Sequence, residues 1–281
     1  MSKLPIHGLT LENLEEQIQA LDLEPYRARQ IFSWVHGHGL TDTAGMTNLS
    51  KAARSRLAQA FSLDGPTVDE VQRADDGTRK LRLKLQRDGA MIETVLIPAD
   101  EKVTQCLSTQ VGCGLGCRFC ATASMGLSRN LTTDEIVGQV YAGREQLPDD
   151  KRISNLVFMG MGEPMNNLDS VLEAVQILCT DLGANFSPRR ITISTAGVVP
   201  GIRELGQRMP QVGLAISLNA TTDEVRNRIM PVNRRYPLKT LMEALRRYPL
   251  PRRRRITIEY VLIRDLNDSD ADARQIPVLL H

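Results

Sequence analysis

Cys113-Gly-Leu-Gly-Cys117-Arg-Phe-Cys120 puts three thiols within eight residues, at the spacing C-x3-C-x2-C. Glycines at 112, 114 and 116 let such a loop wrap a compact group and turn three thiolates toward it. A cubane iron–sulfur cluster normally takes four cysteines, so three leave one iron open to a small molecule that chelates through amine and carboxylate. Zinc is the alternative. Structural zinc takes four Cys or His ligands, and none of the four histidines (His7, His36, His38 and His281) lies near the loop. The glycines do not fit the dinucleotide-binding pattern G-x-G-x-x-G, because cysteines interrupt them. Three ordinary core cysteines are the plain alternative. Cys106 and Cys179 complete a set of five, an odd number that does not read as a disulfide framework. Taken alone, each of these two reads as a core cysteine.

Three kinds of pattern position this loop. Residues 1–62 read as a small helical domain. Leu11, Leu14, Ile18 and Leu21 recur at helical spacing behind Thr10, a plausible N-cap. A second helix carries Tyr26, Ile31, Phe32 and Trp34 and ends at Gly37 and Gly39, and a third carries Leu49, Ala53, Leu57 and Phe61. Residues 63–98 read as an antiparallel β extension, since Lys80 to Leu85 alternate strictly between Asp76-Gly77 and Asp88-Gly89 turns. From residue 99 to 281, apolar runs at 103–109, 154–160, 190–196, 212–218 and 256–263 alternate with helix-sized gaps. That alternation predicts parallel βα units, five in number. Five do not close a barrel, so a further strand is expected after His281, and the chain reads as C-terminally incomplete.

The composition is globular, with 42% hydrophobic and 24% charged residues. No apolar run approaches the ~20 residues that span a bilayer, and the N-terminus lacks a signal-peptide core. A soluble cytoplasmic monomer is expected. The net charge of +2 hides an asymmetry: Arg226 to Arg255 holds eleven Lys/Arg and one acid, Glu243. Such an excess suggests a polyanion, most simply nucleic acid, although a solvated helix and loop surface has the same composition.

The C-x3-C-x2-C loop after the first βα strand resembles the radical S-adenosylmethionine (SAM) superfamily. Phe158-Met-Gly-Met-Gly-Glu-Pro164-Met165-Asn166-Asn167, Ile193 to Gly197, Ala215 to Ala220 and Arg228 to Asn233 follow in order. Together with Tyr26 to Trp34 and Met46 to Ser50, they resemble the adenine C2 methyltransferases of 23S ribosomal RNA and transfer RNA over essentially the whole chain. The resemblance implies an α/β fold, a partial (β/α)6 barrel of five βα units, preceded by a helical accessory RNA-binding domain and the short antiparallel sheet. It implies a [4Fe–4S] cluster on Cys113, Cys117 and Cys120, with SAM on the open iron and an electron donor such as flavodoxin.

The same resemblance places SAM contacts at Gly162, Glu163, Ser194, Ser217, Leu218 and Asn219. Each also reads as an ordinary strand-end or turn residue. Where Asn219 stands the family usually has His, which puts a side-chain role in doubt but not a backbone contact. Glu93 matches the family's proton acceptor; a carboxylate in an apolar strand would be pushed up in pKa, whereas strand alternation equally allows a solvent-facing Glu. Cys106 matches the cysteine that resolves a covalent protein–RNA intermediate by forming a disulfide. Its methyl-carrying partner has no match among the five cysteines, since Cys179 reads as core packing. The expected reaction is radical methylation of adenine C2 in 23S rRNA, in the peptidyl-transferase region, and in tRNA, through a methyl-cysteine relay that this chain does not complete. The competing readings are a C8-specific rRNA methyltransferase, a non-catalytic RNA-binding remnant and a zinc-stabilised binding module.

Overall fold

A computed structural model describes residues 3–281. In chain order the elements are β1 (Leu4–Pro5), α1 (Leu11–Gln19), α2 (Tyr26–Phe32), α3 (Lys51–Ala60), β2 (Phe61–Ser62), β3 (Thr67–Arg73), β4 (Arg79–Lys84), β5 (Met91–Ala99), β6 (Lys102–Cys106) and β7 (Gln110–Gly112). There follow α4 (Ala121–Ser124), β8 (Leu127–Asn130), α5 (Thr133–Arg144), β9 (Ile153–Phe158), α6 (Leu168–Cys179), β10 (Ile191–Thr195) and α7 (Val199–Arg208). The last are β11 (Gly213–Ser217), α8 (Asp223–Ile229), α9 (Leu238–Arg246), β12 (Thr257–Glu259) and α10 (Asp270–Leu280). They form two compact units that cut across the chain order. The first holds Met1–Leu107, Leu131–Leu156 and Asp169–Pro188; the second holds Ser108–Asn130, Val157–Leu168 and Arg189–His281.

In the first unit the three expected helices form where the caps and apolar spacing put them. Thr10 accepts from the Asn13 N–H at 3.2 Å and starts α1, which buries Leu14 and Ile18. Ser50 does the same for α3, whose Ala53 and Leu57 are buried. α2 runs on through a π-turn, Ser33–Gly37, before the chain reverses at Gly39. The expected alternation makes β4 bury Leu81 and Leu83 while Arg82 and Lys84 face out. β3, β4, β5 and β6 pair antiparallel in that order, with Gly77 and Gly89 in the left-handed conformation at the first two turns and Asp100 at the third. β6, the first strand of the expected parallel series, is therefore antiparallel to β5, with Cys106 opposite Val95. α5 begins on a capping box of Thr132 and Glu135. α6 buries Val171, Leu172, Val175 and Leu178.

In the second unit β10, β11 and β12 pair in parallel, in register Ser194 to Ala215 and Ser217 to Glu259. The last strand is only Thr257–Glu259, shorter than the apolar run 256–263. Beyond it the backbone is diverted: Val261 N donates to Asn219 Oδ1 at 2.8 Å and Ile263 N to Asn267 Oδ1 at 2.6 Å. A short antiparallel ribbon of β7 and β8, with no periodic signal in the sequence, flanks the cysteine loop. Among the described residues, no helix is long and apolar enough to cross a membrane.

Candidate active site

The cysteine loop is tied at both ends. Cys113 N donates to Gly126 O across the ribbon at 2.8 Å, and Arg118 N to Ile229 O at 2.9 Å. Gly112 has φ +79, and a Cβ there would lie 1.9 Å from Gly126 O, so only glycine lets the ribbon close. The three thiols feel one another. Burial pushes Cys113 up, with the neighbouring Glu163 and Cys120 adding to it. Burial pushes Cys117 up to about 12, with Cys113, Cys120 and Glu163 adding. Thiols crowded this way become thiolates only if a cation balances them. Among the described residues, no three His, Cys, Asp or Glu side chains converge on one ion-sized point. A cubane does not ask them to, because its cysteines bind separate irons. The all-thiol donor set thus fits an iron–sulfur cluster.

Glu163 follows β9 in a loop clamped on Ser108–Gln110. Met161 N donates to Ser108 Oγ at 2.9 Å, Thr109 N to Met161 O at 2.8 Å, and Glu163 N to Gln110 Oε1 at 2.9 Å. Gly162 has φ +101, and a Cβ there would meet Gln110 Cβ at 2.6 Å. The Glu163 side chain is only 2% exposed. Its Oε1 accepts from Met165 N at 3.1 Å and its Oε2 from Ala196 N at 2.9 Å. Burial raises its pKa, and these bonds oppose the rise. A carboxylate has about four lone-pair sites, so these two N–H donors and the Thr195 hydroxyl still leave capacity for one ligand ammonium or hydroxyl.

The strand ends meet on two residues that sequence reasoning missed. Glu259 Oε2 accepts from Ser194 Oγ at 2.6 Å and from Ser217 Oγ at 2.9 Å, so it joins two predicted site serines. Arg226 is fully buried and donates four hydrogen bonds: to Leu218 O (2.9 Å), Ala196 O (2.6 Å), Ser217 O (3.2 Å) and Asn233 Oδ1 (2.9 Å). Burial lowers its pKa to about 10, with neighbouring Cys117 and Asp223 opposing the shift. In the sequence it looks like one more cation of the basic window; only its R-x-x-I-M-P-V-N context sets it apart. Asn219 has φ +56, which Asn tolerates. Its side chain accepts from Val261 N and touches Met230 Sδ at 3.4 Å, so it braces the 260–267 loop.

The other two predicted site residues belong to the first unit. Glu93 stands on the polar face of β5, 44% exposed and 2.9 Å from Lys80 Nζ, which is the solvent-facing arrangement that strand alternation allowed. Cys106 ends β6, its carbonyl accepting from Thr94 Oγ1 at 2.7 Å. All five cysteines are free thiols. Cys179 is pushed up to about 11 by burial alone.

Comparison with known proteins gives the same answer along the chain. Residues 107–275 match the radical SAM superfamily, and residues 5–63 match the ribosomal RNA large subunit methyltransferase N-terminal domain. The dual-specificity RNA methyltransferase RlmN of Syntrophotalea carbinolica is 50% identical over 281 residues, covering all of this chain and 74% of that one. Its namesake from Geobacter sulfurreducens is 49% identical over 277 residues, 99% of this chain and 75% of that one. The crystal structure of a radical SAM methyltransferase from Sphaerobacter thermophilus superposes with a TM-score of 0.93 at 45% identity, covering 99% of this chain and 82% of that one. The chain belongs to the RlmN family of radical SAM methyltransferases, enzymes that use a [4Fe–4S] cluster and SAM.

Proposed function

We propose that the reaction is methylation of adenine C2 in 23S rRNA and in tRNA. The observation that carries the site is that one compact unit holds both the three-thiol loop and the buried carboxyl group of Glu163. A [4Fe–4S] cluster with an open iron supplies the electron that splits SAM. Cys113, Cys117 and Cys120 hold that cluster. Glu163 takes the ammonium or ribose of SAM, and the Ser194–Glu259–Ser217 bridge and the Leu218 and Asn219 backbone line the strand-end wall beside it. Arg226 fixes that wall by bonding three of its carbonyls.

C2 of adenine is electron-poor, so polar methyl transfer from SAM does not reach it. A methyl-cysteine relay does. In it the Cys106 thiolate attacks the sulfur of the RNA-bearing cysteine, the S–S bond forms as the S–CH2 bond breaks, the CH2 carbon keeps that electron pair and takes a proton to become methyl, and Glu93 takes the C2 proton. The methyl-carrying cysteine is not among the five of this sequence. A polypeptide of these 281 residues is thus expected to bind cluster, SAM and RNA without methylating adenine. Residues 1–62 form the accessory RNA-binding domain and 63–98 the β extension to the 99–281 barrel. The exposed arginines Arg234, Arg235, Arg246, Arg247, Arg252, Arg253 and Arg255 meet RNA phosphates. The enzyme works in the cytoplasm as a monomer, reduced by a flavodoxin-like donor.

Deleting the gene and digesting cellular 23S rRNA and tRNA to nucleosides tests this. Loss of 2-methyladenosine from both supports the proposal. Loss of 8-methyladenosine instead moves the chemistry to C8. No change in either leaves an RNA-binding remnant.

A further inference from the structure

The first unit contains a cavity of about 480 Å³ with three cations on its wall, Arg144, Lys151 and Arg152, and no acidic residue. The rest of the wall is Gly37, Leu147, Ile153, Gly183 and Ala184, so small residues and backbone leave the floor open. Arg144 ends α5 and is half-buried. Among the described residues it has no hydrogen-bond acceptor and no carboxylate partner; its guanidinium carbon lies 5.6 Å over the Tyr141 ring, and nothing else holds it. That ring is itself pinned, since the Tyr141 hydroxyl is hydrogen-bonded to His36 Nδ1. Glu145, Asp149, Asp150 and Asp181 are nearby in sequence, and none pairs with these cations. Lys151 Nζ reaches only the Asp100 carbonyl, at 3.5 Å.

The contrast with Arg226 is sharp. Burial costs a guanidinium free energy unless acceptors replace water. Arg226 has four. Arg144 has none, and burial lowers its pKa with no carboxylate opposing. A planar fork of five donors, held on an aromatic ring beside two further cations, is complementary to a tetrahedral oxyanion.

We propose that the Arg144–Lys151–Arg152 cavity is a phosphate site, and that its occupant is a backbone phosphodiester of the RNA substrate. The identity of that occupant rests on the RNA reading above; the phosphate chemistry does not. Such a contact positions RNA without reading sequence.

The test is tRNA binding by the wild type, Arg144→Gln, and Lys151→Gln with Arg152→Gln, each over a salt series, with a parallel thermal-shift titration by inorganic phosphate against chloride at matched ionic strength. A phosphate contact contributes about 0.7 to 0.9 to the slope of log K against log salt. The slope is expected to fall by about 1 in Arg144→Gln and by up to about 2 in the double variant, equally for unrelated RNAs. Arg144→Gln should be no less stable than wild type, since it removes an unpartnered charge. A wild-type slope in both variants, combined with phosphate protection that they lose, keeps the site and gives it to free phosphate. Unchanged slopes with no phosphate protection in the wild type overturn it. A wild type that binds no RNA refutes the RNA reading, and the phosphate titration then decides the site alone.

Discussion

Arg226 and Glu163 hold one residue through the peptide groups on its two sides: the Ala196 N–H donates to Glu163 Oε2 at 2.9 Å, and the Ala196 carbonyl accepts from Arg226 Nη2 at 2.6 Å. Ala196 follows β10, so the turn at that strand end is fixed by a buried carboxyl group and a buried guanidinium. Removing either leaves an Ala196 backbone group without its partner.

Arg226→Met strands four acceptors in a dry interior. Unsatisfied buried groups cost on the order of 1–3 kcal/mol each where no water can enter. A loss of at least about 3 kcal/mol in urea unfolding is expected, together with poor retention of iron and sulfide. Arg226→Lys supplies three donors and should recover part of both. A stable Arg226→Met variant with full iron would show the four bonds to be incidental.

Glu163→Gln is nearly isosteric, yet its amide cannot accept at both oxygens. One of the Met165 and Ala196 N–H groups then faces an NH2. The expected cost is about 1–3 kcal/mol of stability. SAM affinity of the reconstituted protein, read by equilibrium titration, should fall further than stability predicts, because the ligand loses a carboxylate. Unchanged SAM affinity would remove Glu163 from the cofactor site.

Alanine at Cys113, Cys117 or Cys120 should each abolish stoichiometric iron and acid-labile sulfide after anaerobic reconstitution. Cys179→Ala should keep both. Zinc in place of iron in the wild type would contradict the cluster assignment.

His7 and His36 are buried neutral, held down to about 4 and about 3, chiefly by burial. Around them stand Asp64 at His7, and Tyr141 and Arg144 at His36. Folded values below the unfolded 6.5 mean the unfolded chain binds more protons. Their contribution is therefore complete above about pH 6.5 and lost as pH falls toward 4 and 3. The two together give a slope approaching about 2.7 kcal/mol per pH unit between roughly pH 6 and 4. Urea midpoints measured from pH 7.5 to 4.5 read this directly, and a flat profile would sink it.

What the sequence disclosed was what side-chain type and period can disclose. The cysteine spacing names its chemistry, and Thr10, Ser50 and the alternation of β4 announce their elements. Arg226, Glu259 and Gln110 were illegible because their roles are bonds to distant backbone or serine groups, which leave no periodic trace. Arg226 was further masked by ten neighbours of the same charge. The β7–β8 ribbon is too short for any period to register. Glu93 was ambiguous by construction of a strand, whose alternate residues face opposite ways; the ladder with Lys80 and Arg82 decided which.

The ribbon that closes on Gly112 and Gly126 also shares the work of shaping the loop between backbone and thiols. In small metal-dependent domains the ion itself supplies the folding free energy. Here the loop is fastened by backbone bonds to Gly126 and Ile229 that owe nothing to a cluster. Part of the loop's outline is therefore set by the backbone itself, on a path that glycine at 112 allows to close.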